Sequence, residues 1–254
     1  MGLRPLYLAH GSASQVIHDG RALRVQATGR AVAWYAYAKL SRVVSATDVQ
    51  WQTAALLACL NAGVPVSFLD ARGNVQGYCY GSLRRETTLD NLLAIALDAP
   101  DWESRFEFWY RGMHRQCMLR ALATVGLPPR HLDHPPTVRS ALCNAYHRHL
   151  GRPLAPLLRH LDGTLHAFAA SVLRQHIDAQ TLGHPRPGQS LVDAFATLLG
   201  WPAFHLLQPL DATRIDTTPP ARLAAELLGD DSPLGHELDV LLMCFEHWLR
   251  GWAL

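Results

Sequence analysis

The chain has 254 residues, 49% of them hydrophobic and 17% charged, with seven tryptophans; this excludes a disordered chain and suffices for two modest domains of roughly 100 to 200 residues each. No apolar run approaches the roughly 20 residues of a membrane-spanning helix, and the start MGLRPLYLAHGSA lacks the apolar centre and cleavage site of a secretory signal, so a cytoplasmic location with no membrane partner is expected. Five scattered cysteines fit neither a disulfide framework nor a CxxC zinc site, and the net charge of +2 conceals an asymmetry along the chain.

The first third reads as β-rich. LYLAHG (6–11), SQVIHDGRALRVQAT (14–28) and AVAWYAYAKLSRVVSA (31–46) carry β-branched and aromatic residues in partial alternation, broken by turn signals, and predict hairpins. DVQWQTAALLACLNAG (48–63) has Trp51, Ala55, Leu56 and Cys59 near a 3.6-residue period, with Gly63 placed to end a helix. VPVSFL and NVQGYCYG return to strand across the turn Asp70-Ala71-Arg72-Gly73. Residues 61–81 hold almost no side chain able to do chemistry, so they predict scaffold.

Beyond about Leu83 the pattern is helical, over 89–128, 137–150, 152–178, 188–200, 221–229 and 234–252, separated by proline- and glycine-rich loops. The expected fold class is α+β, with a β-rich N-terminal domain over 1–83 and a larger all-helical domain over 84–254. Nine arginines stand between Arg105 and Arg159 against Glu107 and Asp133, whereas residues 210–254 carry eight acids against three arginines. Phosphate binding needs such local positive density and suits the arginine fork. Arg111, Arg115, Arg120, Arg139, Arg148 and Arg152 are the candidate DNA-binding residues, by charge density alone. Trp102, Trp109 and Tyr110, beside Arg105 and Arg111, are either base-stacking residues or helix core.

The run LSRVVSATDVQWQTAALLACLNAGVPVSFLDARGNVQGYCYG (40–81) resembles the CRISPR-associated Cas1 family, the integrase of spacer acquisition. Thr53, Ala55, Leu56, Leu60, Gly63, Pro65, Val66, Phe68, Asp70, Gly73 and Gly77 fill that family's T.AL..L...G.PV.F.D..G...G pattern. RFEFWYRGMHRQCMLRAL is similar to its first long basic helix, and LHAFAASVLRQHIDAQTLGHPRPGQSLVDAF to the region around its metal-binding histidine. The resemblance implies a β domain that contributes to dimerisation and holds helical lobes against duplex or forked prespacer DNA. It implies partnership with the small dimeric companion protein of CRISPR adaptation, in a homodimer or in a heterodimer with a catalytic paralogue. It also implies a glutamate, a histidine and an aspartate around Mg²⁺ or Mn²⁺.

Those three positions are unequally filled. His184 is the counterpart of the histidine. The aspartate and the acid after it fall on Ala194 and Thr197, with Asp193 one residue early, which on a helix turns the side chain by about 100°. The glutamate falls near Arg139, and no glutamate stands between Glu107 and Glu226. Three functional states are open: a degenerate or accessory subunit that positions DNA; an active metal-dependent integrase or endonuclease using His184 and Asp193, with Asp178 as a third ligand; or a protein-interaction module that kept the fold without DNA. His147 with His149, Glu246 with His247, and the HLDH run at 131–134 lack the partners of a zinc site.

Overall fold

The computed structural model describes residues 3–11, 15–27, 29, 31–81, 88–130, 132–182, 190–229 and 232–251. Strands β1 (Arg4–Leu8), β2 (Gln15–Asp19), β3 (Ala22–Gln26), β4 (Ala33–Ala36), β5 (Leu40–Ala46) and β6 (Gln50–Trp51) precede helix α1 (Thr53–Asn61), and β7 (Val66–Leu69) and β8 (Val75–Cys79) follow it. They form two four-stranded sheets, ordered β1-β5-β7-β8 and β4-β3-β2-β6. The β2–β3 and β7–β8 hairpins are as expected. The expected hairpins are incomplete elsewhere, because β1 pairs with β5 in parallel and residues 31–46 divide between the two sheets. The cause lies in β5, LSRVVSA, which is buried along nearly its whole length. A strand covered on both faces loses alternation and takes the centre of a sheet.

The helical half comprises α2 (Thr88–Leu97), α3 (Trp102–Thr124), α4 (Pro135–Leu150), α5 (Ala155–His176), α6 (Ala179–Leu182), α7 (Leu191–Leu199), α8 (Ala212–Thr217), α9 (Pro220–Leu227) and α10 (Leu234–Arg250), with a 3₁₀ segment at Pro202–Leu207. The single helix expected over 89–128 is two, since Pro100 lacks the amide that would continue the ladder. The loop expected over QPLDATRIDTTPP contains α8, whose first turn is capped by the Asp211 carboxylate accepting from the Arg214 N–H at 2.7 Å. No described helix is long and apolar enough to cross a membrane.

Helix α5 is the axis of the helical core. It packs against α7 and α9 and also against β5, β7 and β8, with Ala167 buried against Val44 and Leu69 of the sheet. Approach is closest at the β7–β8 turn. There the Asp70 carboxylate accepts from the Arg72 and Asn74 N–H groups at 2.8 and 2.9 Å, and Gly73 adopts φ +88°. A Cβ on Gly163 of α5 would stand 2.0 Å from the Gly73 carbonyl oxygen, so only glycine lets the turn dock. The chemically silent segment 61–81 thus joins the sheet to the helical half. Arg42 ties the halves again: it is 5% exposed and donates to the Tyr7 hydroxyl at 3.0 Å and the Leu228 carbonyl at 2.9 Å.

Candidate functional site

Arg139 projects from the second turn of α4, Asp162 and His166 from α5, and Asp193 from the first turn of α7. Arg139 Nη2 donates to both Asp162 carboxylate oxygens, at 2.6 and 2.8 Å, while its guanidinium lies 5.8 Å from the Phe204 ring centroid. Nη1 stands 3.6 Å from where a side chain on Gly200, just past α7, would begin. The guanidinium therefore fills the space among α4, α5 and the end of α7, and a carboxylate neutralises it.

Asp193 is likewise occupied. Ser190 and Asp193 form a capping box: the Asp193 N–H donates to Ser190 Oγ at 3.1 Å and the Ser190 N–H to Asp193 Oδ2 at 3.3 Å. The other oxygen, Oδ1, lies 3.6 Å from His166 Nε2. His166 Nδ1 is 2.8 Å from the Asp162 carbonyl, an acceptor only, so Nδ1 carries the proton. Ala194, where the Cas1 pattern has aspartate, is fully buried, and Thr197 donates its hydroxyl back to the Asp193 carbonyl at 2.7 Å. Nearby, the Tyr78 and Tyr80 rings stack at 5.8 Å. Burial raises both phenols well above their ordinary value, with the Asp193 carboxylate adding to the effect; neither is a base near neutral pH.

Among the described residues no three His, Cys, Asp or Glu side chains are grouped to hold a metal. His184 lies outside the described residues. The backbone N–H of Asp178 donates to Asp90 Oδ1 of α2 at 2.9 Å, a bond that does not involve the Asp178 carboxylate. A fixed guanidinium beside the site repels the ion that a carboxylate there would attract. The residues described do not fit the Mg²⁺ or Mn²⁺ that the resemblance implies.

Residues 7–103 match the sequence profile described as "CRISPR associated protein Cas1". The fold matches TM1797, a Cas1 protein from Thermotoga maritima, with a TM-score of 0.74 at 11% identity, covering 98% of this chain and 97% of that one. The N-terminal part of the chain thus carries the Cas1 sequence signature, and the whole chain has the fold of Cas1 proteins. TtCas1 matches with a TM-score of 0.64 at 16% identity over 94% of this chain and 97% of its own, and TtCas1 in a DNA complex with 0.61 at 15% over 96% and 91%. No curated protein matches the sequence.

In this Cas1-like fold the candidate DNA-binding arginines differ in what they already hold. Arg111 pairs with Glu107 at 3.5 Å, Arg115 with Asp133 at 3.0 Å, Arg120 with Glu237 at 3.3 Å and Arg152 with Asp216 at 2.7 Å. Arg152 makes three hydrogen bonds to Asp216 and holds that carboxyl below the usual range. Arg148 is exposed and donates to the Asn144 carbonyl at 3.4 Å. Local acids thus offset much of the positive density that the sequence suggests. These exposed pairs are weak and exchangeable, because each long side chain must be ordered and water screens the attraction. Arg139 differs from them in being only about one-third exposed.

The aromatic candidates resolve by helical phase. Trp102, Phe106 and Trp109 recur at the spacing of one face and pack with Phe245 and Trp248, the Trp109–Phe245 centroids being 4.9 Å apart; they are core. Phe108 faces outward and is 79% exposed. Asp162, His166 and Phe108 are the residues sequence reasoning missed. The i, i+4, i+7 spacing of the buried aromatics was a signal for Phe108, whereas nothing local marks Asp162. The remaining histidine motifs are spent on local structure: His134 Nδ1 meets Thr137 Oγ1 at 2.7 Å and His147 Nδ1 the Arg152 carbonyl at 2.7 Å, while Glu246 pairs with Arg250. His131 lies outside the described residues.

Proposed function

We propose that this chain binds DNA in CRISPR spacer acquisition as a catalytically inactive or accessory Cas1-type subunit, positioning duplex or forked prespacer DNA for chemistry carried out elsewhere. One observation carries the proposal: at the place where the resemblance puts a metal-binding glutamate, Arg139 is locked onto Asp162 by two short hydrogen bonds. A protein cation stands where the family places a metal ligand, so no chemical step is assigned to this site. The DNA-binding half is supported by the fold shared with TtCas1, which has been solved as a DNA complex, and by the arginine-rich span from α3 to α5. The phosphate contacts would come from Arg148 and from Arg111, Arg115, Arg120 and Arg152, by exchange of their exposed carboxylates. Arg139, whose Nη2 is held by both Asp162 oxygens, would contribute shape rather than phosphate affinity. A catalytically intact paralogue, or a second copy, together with the small companion protein of CRISPR adaptation, completes the proposed assembly.

The test is DNA affinity by fluorescence anisotropy across a salt series with a forked duplex. A binder that neutralises several phosphates loses affinity with a log–log slope of about −0.9 per phosphate contact. A slope steeper than about −3 supports the proposal. No binding at low salt would leave an interaction module that kept the fold without DNA.

A further inference from the structure

The outward face of α3 is not used by the site described above. Arg105, Phe108, Arg111 and Arg115 succeed one another at spacings of three and four residues, which keeps them within one helical stripe about 15 Å long. Phe108 is 79% exposed and borders two depressions. One, of about 650 Å³, is lined by Phe108, Arg111, His114, Arg115, Met118 and Leu132. The other, of about 380 Å³, lies between Phe108, Arg105 and Trp248. Burying the ring within its own chain would have been easy on the opposite face, where three aromatics of the same helix already pack. An exposed aromatic ring set between guanidinium groups, over a partly apolar trough, combines a stacking surface with phosphate-binding forks.

We infer that this face of α3 is a binding site for unpaired DNA, with a base stacked on Phe108 and the flanking phosphates held by Arg111 and Arg115. Stacking selects any nucleobase and requires it to be free of a duplex, because paired bases do not present their faces. The arginines are available in exchange for their acids. Glu107 and Asp133 are 64% and 96% exposed, so both acids are fully hydrated when released, and only part of each guanidinium fork is in use. An acidic peptide would satisfy the arginines but leave the ring and trough without a planar partner. The inference rests on the DNA-binding reading above and deepens it by naming the strand class that this face takes.

The experiment compares a fluorescent thymidine 15-mer with a blunt duplex of the same length, using wild type, Phe108→Ala, Phe108→Trp and Arg115→Ala. Loss of one stacked base lowers single-strand affinity by between about fivefold and about 150-fold. Phe108→Ala is expected to show that loss with duplex affinity unchanged, and Phe108→Trp to restore it. Arg115→Ala is expected to weaken both and to reduce the salt slope by about one. Because Phe108 is exposed, the thermal midpoint should not move. Unchanged single-strand affinity in Phe108→Ala, or equal losses for both DNAs, overturns the inference and leaves the DNA-binding proposal standing. Wild type binding neither DNA overturns both.

Discussion

Breaking the Arg139–Asp162 pair should weaken the fold more than it weakens DNA binding. Two opposite charges about 4 Å apart attract by about 4 kcal/mol at an effective dielectric of about 20. The side chains are 35% and 40% exposed, so water and side-chain ordering remove much of that; exposed pairs retain about 0–1 kcal/mol. A part-buried pair with two short hydrogen bonds should therefore show a coupling of about 1–2 kcal/mol. Arg139 also loses its contact with the Phe204 ring, worth about 0.5–1 kcal/mol, so Arg139→Ala should cost about 2 kcal/mol and Asp162→Ala slightly less. The assay is a double-mutant cycle by urea unfolding, with DNA affinity measured on the same variants. Arg139→Ala should change affinity by less than about threefold, the effect expected when a phosphate contact was never made. A coupling below about 0.5 kcal/mol, or a tenfold affinity loss with stability intact, would refute the claim that this arginine is a structural replacement for a ligand.

Three further outcomes follow from other parts of the fold. Gly163→Ala should destabilise the protein by at least about 2 kcal/mol in urea melts, because its methyl meets the Gly73 carbonyl and overpacking of this kind costs about 1–3 kcal/mol; Gly112→Ala, with open space around it, should be neutral or stabilising. His114, whose ring lies 5.4 Å from both Tyr110 and Trp201 and whose protonation burial disfavours, should make stability fall with acidity. The unfolded chain takes up that proton first, near pH 6.5, so the loss begins below about pH 6.5 and levels off below the depressed folded value; urea midpoints for His114→Phe should fall less between pH 7 and pH 5. Cys59 and Cys117 are buried, and burial raises both thiols, so a thiol reagent should modify them only on unfolding, as followed by mass spectrometry.

The hairpin over 64–81 and helix α1 were legible because their turns are local chemistry: Gly63 and Gly73 adopt positive φ, and Asp70 caps its own turn. The division between β5 and β4 was not, since parallel pairing of β1 with β5 spans more than thirty residues and leaves no local mark. In the helical half the apolar periodicity carried through, but it ran across Pro100, where α2 ends and α3 begins. The site shows the same division. That an arginine stands near the expected glutamate was readable from the chain. That Asp162, 23 residues on, neutralises it required the packing of α4 on α5. Asp193, expected as a shifted metal ligand, takes a capping role with Ser190 three residues earlier, a spacing that the sequence reading did not use. Exposure of Phe108 was missed because it is set by helical phase, which aromatic content alone does not supply.

On the function proposed above, this Cas1-like chain holds DNA without performing chemistry at its helical site. Strand cleavage and transfer on a forked duplex with Mn²⁺, comparing wild type with His184→Ala, tests it most directly. Neither protein should give product, while both retain salt-sensitive DNA binding. Metal-dependent product from the wild type that disappears in His184→Ala would contradict it and restore an integrase using displaced ligands.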